Sequence, residues 1–373
     1  MEHAQVAIIG AGPIGIEAAV ALGRAEISCI HLEAGSIGST MGWWAPGTRF
    51  FSSPERIAIA GVPLLVEHQE KATREHYLQY LRQVTEQFNL SIKTFERVID
   101  ISHEANAFIL STERSVHGVG SPHPYPHHEP HELSSSSPSP SKQNPACFRQ
   151  YRVEKIILAI GNMHAPRMVS VPGEDLPHVS HYLDDPHIYF GKQVLIVGGR
   201  NSAVEAAIRL YRAGARVTLC QRRTELERKR IKYWLLPELE WLIKQHHIDF
   251  LPGATLDTIT PETVSIKTQH NQTQTVAADF VLLLTGYIQD TSLFSMLGVS
   301  LHTQEHKPVF DTETMQTTVP GVYVAGTAVG GSALRTKVFI ENAHEHVEKI
   351  VRAIAGREVL VRGPVVFEGN EES

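Results

Sequence analysis

Gly10-Ala11-Gly12-Pro13-Ile14-Gly15 forms a G-x-G-x-x-G turn between an apolar run, Gln5 to Ile9, and a helical pattern from about Ile14 to Arg24. In that spacing Gly10 permits a tight turn, Gly12 lets backbone approach a diphosphate, and Gly15 allows close helix–strand packing. The helix N-terminus adds unpaired N–H groups and the positive end of a dipole. Glu33, with Ala34 after it, closes the next apolar run, where a carboxylate can bond ribose hydroxyls. This first turn suits a dinucleotide without a ribose phosphate, FAD or NAD.

A second turn, Gly198-Gly199-Arg200-Asn201-Ser202-Ala203, follows the G-x-G-x-x-A form except that Arg200 stands where the middle glycine would be. The Arg200 side chain then either contacts phosphate or faces solvent. At the end of the following strand pattern, where an acid would bind a free ribose, the chain reads Cys220-Gln221-Arg222-Arg223. Loss of the acid and gain of two arginines favour the 2′-phosphate of NADPH. Arg228 is a candidate to join them, although Arg228-Lys229-Arg230 reads equally as a solvated run. Two apolar strands ending in glycine, Ile157 to Gly161 and Leu282 to Gly286, stand late in each unit. Gly321 to Ala328 then precedes a helix expected from about Arg335 to Ala355. Val98, Gly161, Gly326 and Thr327 are expected to complete the first site. In two-dinucleotide flavoproteins an Asp usually follows this last glycine, and Thr327 occupies that place here.

Positioning these residues requires strands alternating with helices, the grammar of parallel sheets with helical crossovers. The expected fold is α/β, with two Rossmann-like dinucleotide-binding domains: an FAD domain over 1–186 and 289–373, and an NADP domain inserted at 187–288. Residues 113–150 break the pattern with seven prolines, eight serines and five histidines, so that stretch is read as a disordered surface insertion. Its removal leaves the strands Ala107 to Ser111 and Tyr151 to Ile160 to pair as a hairpin. His117, His123, His127, His128 and His131 fall inside it; their irregular spacing favours a solvated linker over a metal site. The net charge of −6 gives no basis for a nucleic-acid partner. No apolar stretch reaches the ~18–20 residues of a membrane span, and the N-terminus lacks a basic signal region, so the cytoplasm is expected. Only Cys29, Cys147 and Cys220 are present, with no C-x-x-C among them. Cys29 and Cys220 read as buried structural thiols.

Apart from the insertion and tail, the chain resembles the bacillithiol disulfide reductase family, a branch of the thioredoxin-reductase-like flavoproteins. The resemblance rests on Phe50-Phe51-Ser52-Ser53-Pro54-Glu55, Gly61-Val62-Pro63 and Val171-Pro172-Gly173-Glu174-Asp175-Leu176-Pro177. It also rests on Gly198 to Ser202, Leu235-Leu236-Pro237-Glu238, Phe339-Ile340-Glu341-Asn342, and Thr327 in place of Asp. It implies FAD and NADPH as cofactors, a cytoplasmic location, and reduction of a low-molecular-weight thiol disulfide; a homo-oligomer is expected. Members of that family place a cysteine after the G-x-G-P of the first turn, and this chain has Ile14 there. No protein thiol is therefore assigned to the reaction, and no general acid or base is named. Trp43, Trp44, Arg49 and Arg56 flank the region that approaches the flavin in this fold, and would suit an anionic acceptor. Thioredoxin reductase proper is disfavoured by the missing C-x-x-C, and a flavin monooxygenase by the missing F-x-G-x-x-x-H. A ferredoxin–NADP reductase, or a low-turnover redox-sensing flavoprotein, stays open.

Overall fold

The computed structural model describes residues 1–114, 148–332 and 338–361. The insertion's histidines and Cys147 lie outside the described residues.

Two sheets organise the chain, the first mixed and the second parallel. In the first, Glu2–Ile9 runs between Cys29–Leu32 and Phe148–Leu158, parallel to both. Its Val6, Ala7 and Ile8 are fully buried, as a strand covered on both faces requires. Phe148–Leu158 serves two partners along its length. Its first half pairs antiparallel with Ala107–Arg114, the hairpin expected across the insertion, and its last three residues pair parallel with Val322–Val324. The second sheet has the order Ile248–Pro252, Arg216–Gln221, Gln193–Val197, Phe280–Leu283, Val179–Ser180, all parallel. The return to Phe280 is made by a three-stranded antiparallel meander, Thr255–Ile259, Thr263–Lys267 and Thr273–Ala277, rather than by a helix. Where the chain passes between the sheets, Ala165–Pro166 pairs antiparallel with Tyr287–Ile288.

Both glycine turns have the same build. Gly10, at φ +107°, and Gly198, at φ +151°, each sit against a carbonyl at the end of a neighbouring strand. A Cβ added to Gly10 would lie 2.5 Å from the Ala159 oxygen, and one added to Gly198 would lie 2.5 Å from the Leu284 oxygen. The helices that follow are Pro13–Arg24, with proline in its first turn, and Asn201–Arg212.

The last helix spans Ile340–Ala355. It starts later than the expected Arg335, which lies outside the described residues, because the Asn342 side chain accepts the Phe339 N–H at 2.8 Å and caps the helix there. This helix is bound to the first one through a buried pair. His344 Nδ1 lies 2.6 Å from Glu17 Oε2, and His344 Nε2 lies 3.1 Å from the Arg56 carbonyl oxygen. Glu17 also accepts the Ala60 N–H at 3.0 Å. Each ring nitrogen of His344 thus faces an oxygen, Glu17 on one side and the Arg56 carbonyl on the other. His344→Leu should therefore strand a buried carboxylate and lower the unfolding free energy by about 3–5 kcal/mol. A urea titration checks this, and a loss under about 1 kcal/mol would remove the pair from the fold's main supports.

Candidate functional site

A cavity of about 980 Å³ opens at the ends of the first sheet's strands and extends to the second sheet's first helix. Within it stand Gly10, Gly12, Pro13, Ile14, Glu33, Ala34, Val98, Gly161, Gly326 and Thr327. Gly15 lies behind the wall, where a Cβ would meet the Gly10 oxygen at 1.9 Å. Gly12 is the opposite case: nothing lies within 4 Å of a Cβ added there, so its backbone faces open space. Such a cradle fits a diphosphate at the start of a helix.

Glu33 is held firmly. Its carboxylate accepts the Ala11 N–H at 2.7 Å, the Gly35 N–H at 2.7 Å and the Ser39 hydroxyl at 3.1 Å. Burial raises its pKa, and these donors, with Arg97 nearby, oppose the rise. The carboxylate so held also borders the cavity, as ribose recognition requires. Beneath the turn, His31 Nε2 lies 2.9 Å from the Gly10 oxygen, and burial lowers its pKa to about 4, so the ring is neutral near pH 7.

Trp43, Trp44 and Arg49 border the same cavity; Arg56 does not, although Ile57 beside it does, and the Arg56 carbonyl faces His344 of the last helix. Trp43 packs on Tyr182 and Tyr287, with ring centroids 4.7 Å and 5.2 Å away. Arg49 pairs with Glu70 at 2.5 Å. Ile14 is 5% exposed and packs against Gly326, 3.4 Å from a Cβ added there. Neither Cys29 nor Cys220 reaches the cavity. Burial raises both thiols, Cys220 to about 12, and Cys29 is half-buried rather than fully buried.

From the second unit, Asn201 and Ser202 border the cavity, whereas Gly198, Gly199, Arg200, Arg222 and Arg223 lie beyond it. There the arginines converge. The Arg200 pKa is lowered by burial and then by Arg230, with Arg223 and Arg222 adding to the effect. Glu227 holds Arg230 at 3.0 Å and Arg223 at 3.3 Å. Arg228 turns away to Glu240, so Arg230 takes the place that the sequence offers to Arg228.

Several cavity residues escape the motifs. Glu205 and Arg209 follow Asn201 at four-residue steps and share its helix face, a periodicity that a helical projection of the sequence would expose. Arg209 reaches across to the first unit, donating to Thr48 Oγ1 at 3.0 Å and to the Pro46 carbonyl. Phe51, which also borders the cavity, stacks on Trp234 at 5.0 Å. Lys232 pairs with Glu205 at 3.2 Å. Asn162, Met163, His164, Tyr182, Tyr287 and Asp290 also contribute, from segments with no chemical signature. Among the described residues no group of three or more His, Cys, Asp or Glu could hold a metal, and no helix is long and apolar enough to cross a membrane.

Comparison with known proteins places this arrangement among characterised ones. A sequence model described as pyridine nucleotide-disulphide oxidoreductase matches residues 7–118 and 147–326. Bacilliredoxin reductase Bdr of Bacillus subtilis (strain 168) is 32% identical over 352 residues, covering 94% of this chain and 97% of that protein. The solved bacillithiol disulfide reductase Bdr from Bacillus cereus superposes with a TM-score of 0.83 at 31% identity, covering 96% of this chain and all of that one. Thioredoxin reductase of T. acidophilum, at 20% identity and a TM-score of 0.68 over 95% of this chain, shares the fold.

Proposed function

Because this chain belongs to the pyridine nucleotide-disulphide oxidoreductase family, and within it to the bacillithiol disulfide reductase branch, we propose that it is an FAD-dependent NADPH oxidoreductase that reduces a low-molecular-weight thiol disulfide, with bacillithiol disulfide as the leading candidate. The observation that carries this reading is one cavity bordered by the helix starts of both glycine turns, so that two dinucleotides can meet inside it. Bound FAD would supply a two-electron relay, giving the balance NADPH + H⁺ + RSSR → NADP⁺ + 2 RSH.

The chain's own residues do the positioning. Gly12 admits one diphosphate, and Glu33 offers a fixed carboxylate to the adjoining ribose. Asn201 and Ser202 receive the second diphosphate, and the arginines beyond them take the 2′-phosphate. Ile14 and the Gly326 backbone close one wall against water. Trp43, Trp44 and Arg49 face the space left for the acceptor. In this reading no described thiol relays electrons, since none borders the cavity.

Purified protein reconstituted with FAD should consume NADPH in proportion to added bacillithiol disulfide. Consumption unchanged by any disulfide, but accelerated by ferredoxin, would overturn the acceptor while keeping the cofactors.

A further inference from the structure

Gly161 and Gly326 both border the cavity in left-handed backbone conformations, at φ +74° and +69°, and neither has a side chain to lock it. Their places are therefore set through backbone atoms. Two side chains that do not themselves border the cavity make those bonds. The Gln289 Nε2 donates to the Ala328 carbonyl at 3.1 Å and to the Gly161 carbonyl at 3.4 Å, joining the two turns. Both partners are acceptors, which fixes the orientation of the amide. Gln289 is 5% exposed, and its own N–H donates to Ser332 Oγ at 2.9 Å. From the other side, the Gly326 N–H donates to His346 Nδ1 at 3.2 Å. A backbone amide can only donate, so the ring proton sits on Nε2. Burial lowers the ring's pKa to about 4, which preserves that acceptor near neutral pH.

Between these bonds lies Thr327, whose Oγ1 is 3.8 Å from a Cβ added to Gly161, so the two turns face each other closely. Its hydroxyl is short, and its reach depends on where the two turns stand. We infer that Gln289 and His346 are positioning residues for the cofactor, holding the Gly161 and Gly326–Thr327 turns in the register that FAD binding needs. This rests on the reading of the cavity as the flavin site.

The test measures FAD affinity by equilibrium dialysis against stripped protein, alongside the melting temperature of the stripped form. Gln289→Met keeps the volume and removes the donor; His346→Phe removes the acceptor; His346→Asn restores an acceptor oxygen near the Nδ1 position. One buried hydrogen bond is worth up to about tenfold in affinity, so Gln289→Met and His346→Phe should each raise the Kd for FAD about tenfold, and His346→Asn should restore it to within about twofold of wild type. A merely structural role would lower the melting temperature with and without FAD alike and leave the Kd unmoved, which would overturn the inference. His346→Asn binding as weakly as His346→Phe would overturn it too. Should Gln289→Met not fold, the two His346 variants decide. Wild-type protein that takes up no FAD would overturn the flavin reading itself and this inference with it. Wild-type uptake with unmoved variants overturns the inference alone.

Discussion

Gly12→Val should leave the stripped protein folded and weaken FAD binding by about a hundredfold or more, a loss near 2.7 kcal/mol. Gly12 has an extended backbone, φ −77° and ψ −178°, open to any residue, so valine brings no conformational strain. No heavy atom lies within 4 Å of the added Cβ, so its methyl groups project into empty space. That space is where a diphosphate must come nearest the backbone, and the branched side chain displaces it. Stability in urea should move by no more than about 0.5 kcal/mol, as for a substitution that touches nothing. Gly15→Ala is the contrasting control. Its Cβ would lie 1.9 Å from the Gly10 oxygen, so the turn cannot form around it and soluble protein should be lost. Gly12→Val protein that takes up FAD as the wild type does would remove the first turn from the cofactor site.

The second large effect concerns the choice between NADPH and NADH. Replacing both Arg222 and Arg223 by Ala should raise the KM for NADPH about a hundredfold and leave the KM for NADH within about threefold. Each lost charge-assisted bond is worth about 1.5–3 kcal/mol. The structure supplies the reason for so large an effect. Burial and then the charges of Arg230, Arg223 and Arg222 depress the Arg200 pKa, while Glu227, paired with Arg223 and Arg230, opposes the fall. Like charges gathered in this way are relieved when a dianion arrives. The preference should also weaken with added salt, because Arg222 and Arg223 are exposed. An NADPH-to-NADH ratio that survives the double substitution would assign the 2′-phosphate elsewhere.

Local chemistry made part of this molecule readable from its residues alone. Both glycine turns stand at helix starts, and Cys220-Gln221 closes the strand that follows the second of them. Each depends on short-range backbone needs that write themselves into glycine spacing. The hairpin across the insertion was legible for a related reason: two apolar runs remain once a segment unable to bury surface is set aside. What stayed hidden depends on distant partners. Nothing near Arg56 in sequence tells that its carbonyl will meet His344. Arg228 and Arg230 are indistinguishable until Glu240 and Glu227 are placed beside them. The meander from Thr255 to Ala277 alternates weakly and could be taken for loop. Gln289 and His346 bear no motif at all, since their role is to bond backbone of other segments.

The aromatic residues around the cavity have an optical consequence. Of the chain's four tryptophans, Trp43 and Trp44 border the cavity, and Trp234 stacks on Phe51 at its edge. Indole emission overlaps flavin absorption, so a yellow chromophore seated there should drain most of the protein's ultraviolet fluorescence by energy transfer. Trp241, exposed on the helix Leu236–Lys244, would supply much of what persists. The polypeptide thus carries its own lamp for watching the pocket fill.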